Sequence, residues 1–217
     1  MLLTLLSLII VANTALTAAE NYDSSFEAKT KARKTVQKLK VSNGMPWGQW
    51  EEPVFCPLNT YAVGYSLKIE GKQGTGDDTA LNNIALLCKR RGRKGNTVVV
   101  SPKPGWGRWT KSASCRARNS FLVRFRLQVQ TWQGPGLTGG NDDTAANYVT
   151  FACREFKGGK ERVLGKGKGP FGIFGKWSNN CPRNSAICGM RVKSEPWQGL
   201  GDKDDTAMND VEFFCCK

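Results

Sequence analysis

Residues 76–88 read GDDTALNNIALLC, and the chain repeats this stretch as NDDTAANYVTFAC at 141–153 and as KDDTAMNDVEFFC at 203–215. In each copy the second aspartate lies ten residues before the closing cysteine, and an asparagine lies six residues before it. This pattern predicts three equivalent modules in one architecture, because a module of about 60 residues that recurs in this way cannot cover its own apolar face.

Two further features recur in the same order. A first cysteine precedes each copy, namely Cys56, Cys115 and Cys181. Each unit opens on an aromatic-glycine motif, which is Trp47-Gly48-Gln49-Trp50, Trp106-Gly107-Arg108-Trp109 and, in a departure, Phe174-Gly175-Lys176-Trp177. We therefore expect a single domain over 43–217 that contains three repeats, at about 43–100, 101–168 and 169–217.

Each repeat has the pattern of antiparallel strands. Val63, Tyr65, Leu67 and Ile69 alternate with small or polar residues, and residues 121–129 alternate in the same way. Such alternation is typical of a strand with one buried face, and the closing cysteines fall on apolar positions. The sequence predicts an all-β protein with three sheets of about four strands, whose apolar faces turn to a common axis as in a triangular prism.

The first 42 residues lie outside the repeats. Residues 1–19, MLLTLLSLIIVANTALTAA, are uncharged, mostly apolar and end in small residues, which predicts a signal peptide cleaved near Ala18 or Ala19. The apolar run is too short for a bilayer of about 30 Å, so we expect a secreted, extracellular protein without a transmembrane segment. Residues 20–42 are predicted to be a basic arm, either a short amphipathic helix or a flexible segment.

Charge and composition narrow the chemistry. The net charge of +14 points to acidic partners such as anionic glycans, mucins or membranes, and secretion disfavours nucleic acid. The chain has no histidine, which removes Ser/His and Cys/His nucleophile pairs and the commonest metal ligand. We expect a monomer with no catalytic residue, no metal and no cofactor.

Cysteines in an oxidising compartment predict disulfides. The chain has eight, which are Cys56, Cys88, Cys115, Cys153, Cys181, Cys188, Cys215 and Cys216. The first four pair within their units, as Cys56–Cys88 and Cys115–Cys153. For the last four, repeat logic pairs Cys181 with Cys215 and Cys188 with Cys216. Strand parity instead places Cys188 and Cys215 on one inward face and leaves Cys216 to Cys181, and the sequence leaves both alternatives open.

From about residue 41 to residue 217 the chain resembles the vitelline membrane outer layer protein I family. The resemblance rests on the repeated DDTA turn with its asparagine and closing cysteine, on the WGxW openings, and on Trp132-Gln133-Gly134 and Trp197-Gln198-Gly199. It implies the β-prism I fold, with three four-stranded Greek-key sheets about an internal pseudo-threefold axis, and an extracellular role. It also implies, as a possible activity, the handling of N-acetylglucosamine oligosaccharides.

The three acidic turns are the sharpest candidates for a site. Threefold symmetry brings Asp77, Asp142 and Asp204 to one end of the prism, as a cleft for sugar hydroxyls or as paired carboxylates about 5 to 10 Å apart for glycoside chemistry. Alternatively, each aspartate accepts hydrogen bonds from the backbone of its own turn. We favour this structural interpretation over catalysis, because identical turns are poorly suited to give two carboxylates different pKa values.

Aromatic and amide residues divide into scaffold and candidate contacts. The asparagines Asn82, Asn147 and Asn209 are predicted to be buried hydrogen-bonding residues. Trp132 and Trp197, in predicted loops, are candidate glycan contacts together with the three aspartates. The tryptophans of the unit openings are predicted to pack in the core, and they are Trp47, Trp50, Trp106, Trp109 and Trp177.

Basic residues cluster after the first two closing cysteines. The first cluster supplies candidate polyanion contacts, which are Arg90, Arg91, Arg93 and Lys94. The second cluster comprises Lys157, Lys160, Arg162, Lys166 and Lys168.

Taken together, these features predict a secreted structural or glycan-binding protein of an extracellular coat or matrix. Its expected partners are extracellular glycans or coat proteins. The alternative is a carbohydrate-active enzyme that transfers or hydrolyses N-acetylglucosamine oligosaccharides through the Asp-Asp-Thr turns.

Overall fold

A computed structural model describes residues 33–71, 80–102, 106–130, 145–165, 167–195 and 208–217, which belong to one unit over Arg33–Lys217. All of its regular elements within these residues are strands. They are β1 (Gln37–Leu39), β2 (Gln49–Trp50), β3 (Val54–Phe55), β4 (Thr60–Ile69), β5 (Leu81–Arg90), β6 (Thr97–Val100), β7 (Arg108–Trp109), β8 (Ala113–Ser114), β9 (Ser120–Val129), β10 (Ala146–Glu155), β11 (Arg162–Leu164), β12 (Ile173–Phe174), β13 (Ala186–Ser194) and β14 (Met208–Cys216).

Three long antiparallel hairpins form the centres of three sheets, as the alternating residues predict. The strand orders are β6-β5-β4-β7, β11-β10-β9-β12 and β1-β14-β13-β2. In the first two sheets, three consecutive strands are followed by a fourth that returns beside the first, which is the Greek-key connection. The short β8 pairs with β4 and so extends the edge that β7 forms in the first sheet. In the same way, β3 pairs with β13 and extends the edge that β2 forms in the third sheet.

The third sheet is completed from the N-terminal side of the chain. β1 pairs with β14, and β2 and β3 pair with β13. The prediction of a helix or a flexible segment is therefore wrong for Gln37–Leu39. Leu39 is fully buried. The ammonium groups of Lys38 and Lys40 lie 3.2 and 3.3 Å from the carboxylate of Glu212 on β14. Two of the lysines of the predicted basic arm therefore form ion pairs that stabilise β1 against β14.

The opening segment of each sequence repeat lies in the sheet of another repeat. In register, Trp50 of β2 pairs with Lys193 of β13, and Trp109 of β7 pairs with Lys68 of β4. β12 pairs with β9 in the equivalent way. The repeats and the sheets are therefore offset from each other by one opening segment, and each opening supplies an edge strand to the preceding sheet around the ring.

The opening of the third unit is three residues earlier than the sequence alignment placed it. Gly48, Gly107 and Gly172 have φ values of 75°, 90° and 72°. A Cβ atom on any of them would overlap the main-chain carbonyl of the residue opposite, which is Ser194, Ile69 or Val129. The equivalent motif is thus Phe171-Gly172-Ile173-Phe174, and the prediction of Phe174-Gly175-Lys176-Trp177 is wrong because it aligned aromatic residues without this backbone constraint.

Equivalent side chains from the three hairpins meet in one core. Tyr65, Phe125 and Met190 occupy matching positions, since they lie opposite Leu86, Phe151 and Phe213 in register. The ring centroids of Tyr65 and Phe151 are 4.8 Å apart, and those of Phe125 and Phe213 are 4.7 Å apart, so the same contact joins the first sheet to the second and the second to the third. The fold is a β-prism with internal pseudo-threefold symmetry.

Three disulfides join neighbouring sheets. Cys88, Cys153 and Cys215 are core positions of β5, β10 and β14, and each is bonded to a cysteine that follows the edge strand of another sheet. The bonds are Cys56–Cys88, Cys115–Cys153 and Cys181–Cys215, and the fourth, Cys188–Cys216, lies within the third sheet. The pairing predicted from the repeats is confirmed.

The pairing from strand parity is wrong because β13 contains a bulge. Its register against β14 shifts between Ile187 and Gly189. Cys188 therefore packs with Phe55 and Phe214 in a second cluster, while Ile187 and Met190 lie in the core. One extra residue in a strand moves all the residues on one side of it to the opposite face of the sheet. A prediction that assumes strict alternation along the strand does not include this change.

Of the two burial predictions, the one for the repeated asparagines is confirmed and the one for the opening tryptophans is not. Asn82, Asn147 and Asn209 are buried as predicted, and Asn147 Oδ1 accepts a hydrogen bond from the Phe171 amide at 3.0 Å. The prediction that the opening tryptophans pack in the core is wrong. None of the five is buried, and Trp106 and Trp109 are 68% and 45% exposed. Trp50 and Trp109 lie in two-residue edge strands, which are not covered by a further strand.

We predict that Gly107→Ala destabilises the fold far more than Gly95→Ala. Both glycines have positive φ, but a Cβ on Gly107 would overlap the Ile69 carbonyl, whereas a Cβ on Gly95 has no atom within 4 Å. The control thus carries only the left-handed backbone cost of about 1 to 2 kcal/mol. Chemical denaturation should place Gly107→Ala at least about 2 kcal/mol below the control. Equal losses would contradict the close packing of the opening segment.

Candidate functional site

The glycan-contact candidates from the sequence fall outside the described residues. Trp132, Trp197, Asp77, Asp142 and Asp204 belong to the segments that connect β4 to β5, β9 to β10 and β13 to β14. Their proximity and their roles therefore stay predictions.

One described carboxylate lies near the start of the last of these hairpin strands. Asp210 is half-buried, and its Oδ1 accepts a hydrogen bond from the Val211 amide at 2.7 Å. Burial raises the pKa of Asp210 to about 6, although that hydrogen bond and the nearby Lys193 and Lys40 oppose the rise. The matching residue of the first unit, Asn83, accepts the same bond from the Ile84 amide, so the position orders the backbone in both units.

At the other end of the long strands, the three units build one surface that we call the basic end. It consists of the turns that precede β4, β9 and β13 and the segments that follow β5 and β10. Each turn closes with the same hydrogen bond, from the amide of Thr60, Ser120 or Ser185 to the carbonyl three residues earlier, at 3.0 to 3.2 Å. Eight cationic residues lie in these turns and segments, and they are Arg91, Arg93, Lys94, Arg116, Arg118, Lys157, Lys160 and Arg183.

Phe156 connects the parts of the basic end. Its amide donates to the Asn119 carbonyl at 3.1 Å, and its carbonyl accepts from the Asn184 amide at 2.9 Å, which ties it to the turns of the second and third units. Its ring packs edge-on against Tyr61 of the first unit at 4.9 Å. The Arg91 guanidinium lies 4.2 Å from the centre of the same ring. Phe156 therefore brings all three units and the first basic cluster together.

Some cations of this end have structural partners. Arg154 is buried and donates to the carbonyls of Cys181 and Pro182, both at 3.0 Å. Arg33 donates to the Thr60 carbonyl at 2.5 Å, with its guanidinium 5.2 Å from the centre of the Tyr61 ring. Burial lowers the pKa of both arginines. These two side chains stabilise the turns and are not available to a ligand.

The predicted polyanion contacts do lie at the basic end. Arg90, the last residue of β5, is exposed, and so are Arg91, Arg93 and Lys94 in the segment that follows. The Arg93 amide donates to the Arg90 carbonyl at 3.2 Å, which gives the segment a defined turn. The structure places Arg91 of this cluster over the Phe156 ring, and the contact of the four residues with a polyanion stays a prediction.

A groove beside the Cys115–Cys153 disulfide was missed at the sequence level. Its volume is about 430 Å³, and its walls include the turn residues Arg116 and Ala117 and part of β11 from Arg162 onward. A signal for it exists in the sequence, because proline follows the first cysteine in the other two units, whereas arginine follows Cys115.

Comparisons with known proteins identify the family of this chain. The sequence pattern of the family described as vitelline membrane outer layer protein I matches residues 37–217. The chain belongs to this family. It is 44% identical over 181 residues to a human protein named vitelline membrane outer layer protein 1 homolog, and 43% identical over 180 residues to the mouse protein of that name. Each alignment covers 82% of this chain and 82% of the relative.

Solved lectin structures have a more distant likeness to this member of the vitelline membrane outer layer protein I family. Calsepa lectin, in complex with a bisected glycan, superposes with a TM-score of 0.49 at 12% identity, over 86% of this chain and 100% of its own. Artocarpin, a lectin with mannose specificity, superposes with a TM-score of 0.42 at 14% identity over the same shares.

No group of three or more histidine, cysteine, aspartate or glutamate side chains in the part of the chain that the structure describes is placed to hold a metal ion. Over the same part, no helix has the length and hydropathy needed to cross a membrane.

We predict that Phe156→Ala lowers the free energy of unfolding by about 3 kcal/mol or more. The substitution removes a buried ring that packs against Tyr61 and Phe121 at the junction of the three units. Ile173→Ala is the control, since Ile173 is 79% exposed and its truncation should change stability by less than about 0.5 kcal/mol. Denaturant titration measures both, and a loss below about 1 kcal/mol for Phe156→Ala would argue against its central role.

Proposed function

We propose that this member of the vitelline membrane outer layer protein I family is a secreted, glycan-binding structural component of an extracellular coat or mucous layer. The observation that carries the proposal is the basic end, which three units build together on a disulfide-closed β-prism. Its exposed cations are suited to acidic glycans, which are abundant in such layers.

The disulfide pattern supports an extracellular location. Every cysteine is paired, and three of the four bonds connect one sheet to the next. Disulfides of this kind form and persist in oxidising compartments, which fits the predicted signal peptide at residues 1–19. They also favour binding, because a surface that is already ordered loses little conformational entropy when a ligand docks.

The charge distribution supports a glycan as the partner. The chain carries 32 lysines and arginines against 18 aspartates and glutamates. Exposed cations that cluster on one surface attract polyanions over a distance of about a Debye length, about 8 Å at physiological salt. This kind of surface suits a coat protein held in a layer of sulfated or sialylated glycans.

Among the described carboxyl groups, burial raises the pKa of Asp210 to about 6, but its Oδ1 accepts a hydrogen bond from the Val211 amide, which is the role that Asn83 fills in the first unit. Glycoside hydrolysis needs one carboxyl group with a raised pKa and a second, ionised one about 5 to 10 Å away. Burial alone would raise the pKa of Glu212, but hydrogen bonds from Arg191 and Lys38 and their charges lower it overall. That carboxylate is held ionised by a cluster of cations on the third sheet, and it is not a proton donor.

A glycan array tests the proposed function. We expect the secreted, oxidised chain to bind a defined subset of immobilised glycans, with sulfated and sialylated members above neutral ones. The same chain after reduction and alkylation is the control, because it keeps the charge and composition and loses the prism. Equal signals from the two forms, or no signal across the array, would contradict the proposal. Shortened or elongated N-acetylglucosamine oligosaccharides after incubation would favour the enzyme instead.

A further inference from the structure

The groove beside the Cys115–Cys153 disulfide has the form of a binding site. It lies where the turn before β9 meets the edge strand β11, and its volume of about 430 Å³ is within the range of small-ligand sites. The disulfide, Ala117 and Leu164 supply apolar wall, and Val163 on the same strand is 56% exposed. Apolar walls of this kind suit the face of a sugar ring that exposes its C–H groups better than they suit a fully charged ligand.

Two arginines give the groove its charge. Arg116 and Arg162 both line it, and both are exposed. Glu161, the neighbouring carboxylate, lies 2.8 Å from Arg124 and is therefore already paired. Within the described part of the chain, neither groove arginine has a carboxylate partner of its own. A guanidinium presents a planar set of donors that matches a carboxylate or sulfate in bidentate geometry.

The pseudo-threefold symmetry provides an internal comparison. Arg162 lies opposite Cys153 in register, and the equivalent residues opposite Cys88 and Cys215 are Thr97 and Gln37. Arg116 follows the first cysteine of its unit, and the equivalent residues are Pro57 and Pro182. In the two other units, the equivalent corner of the prism, which is the disulfide with the turn and the edge strand beside it, therefore forms without either arginine. Folding does not require the arginine pair, since the frame closes in the same way at all three corners.

The groove is continuous with the rest of the basic end. The turn that contains Arg116 ends in Asn119, whose carbonyl accepts the Phe156 amide at 3.1 Å. The ring of Phe156 in turn carries the Arg91 guanidinium at 4.2 Å. A chain of direct contacts therefore leads from the turn of Arg116 through Phe156 to Arg91. This arrangement fits an extended anionic glycan.

We propose that the groove between the Cys115–Cys153 disulfide and β11 binds an anionic sugar unit of a sulfated or carboxylated glycan. Arg116 and Arg162 hold its acidic group, and the apolar wall packs against the ring. The inference deepens the proposed function and rests on it, because it names the glycan class and the site. Among the described residues, the arginine pair is a feature of the second unit.

Binding measurements on the complete, disulfide-bonded chain test this site. The probe is a heparin oligosaccharide, and the groove variant is Arg116→Gln with Arg162→Gln. The control is Arg108→Gln with Lys111→Gln, which removes the same two charges from exposed positions at and after β7. The loss of two charge-assisted contacts should weaken binding by the groove variant at least about tenfold, while the control changes it by less than about threefold.

Two further comparisons distinguish binding at a specific site from nonspecific electrostatic attraction. Arg116→Lys with Arg162→Lys keeps the charge but loses the planar donors, so it should also bind more weakly than the unchanged chain. Desulfated heparin and a carboxylate-only hyaluronan oligosaccharide distinguish which acidic group is held. All substitutions are at exposed positions, and unchanged thermal unfolding verifies that the variants are folded.

Several outcomes would overturn the inference. Equal losses for the groove and control variants would mean that only net charge matters. Phosphatidylserine vesicles or single-stranded DNA that bind as tightly, with the same dependence on the two arginines, would remove the assignment to glycans. If the array detects glycan binding but the groove variant retains it, the groove inference fails and the proposed function stands. If the array is blank, the proposed function itself fails.

Discussion

Each repeat donates its opening strand to the sheet of the repeat before it, and the remainder of the fold depends on this exchange. One hydrogen bond repeats around the ring: the amides of Cys56, Cys115 and Cys181 donate to the carbonyls of Cys188, Val63 and Val123, at 2.7 to 2.8 Å. Immediately beside each of these bonds, a disulfide leads to the next sheet. No sheet is therefore complete without its neighbour, and the N-terminal β1 to β3 close the circle.

This closure separates the requirements of the scaffold from those of function. Residues that recur at all three corners, such as the opening glycines and the closing cysteines, are explained by the geometry of the ring. Arg116, Arg162 and Phe156 have no counterpart of the same type in the other units. Arg116 and Phe156 lie at the basic end, and Arg162 lines the groove together with Arg116. A symmetric frame leaves such positions free to differ, so the asymmetric residues are where a particular ligand is recognised.

Much of the frame was predictable from the sequence. The alternation in β4 and β9 and the spacing of Asn147 and Cys153 identified the long hairpins, the buried amides and the regular disulfides. The edge exchange was not, because a cyclic repeat has the same sequence pattern whether an opening strand completes its own sheet or its neighbour's. β1 was not predicted for another reason. It has three residues, of which Leu39 alone is fully buried, and so short a strand shows no periodicity of apolar residues.

The site was harder to predict than the fold. The groove requires Arg162 to lie opposite Cys153, and this register is set by a three-residue edge strand that local preference does not determine. The bulge in β13 misled the parity argument at Cys188 in a similar way. In both cases a tertiary contact decides which face a side chain occupies, and no local pattern in the sequence records that contact.

Disulfide mapping of the secreted protein tests the closed ring most directly. A non-reducing digest, fragmented by electron transfer so that Cys215 and Cys216 are separated, identifies each partner. We expect the bonds Cys56–Cys88, Cys115–Cys153, Cys181–Cys215 and Cys188–Cys216. Recovery of Cys188–Cys215 together with Cys181–Cys216 would contradict the closed ring, because the three equivalent connections between sheets would then not exist.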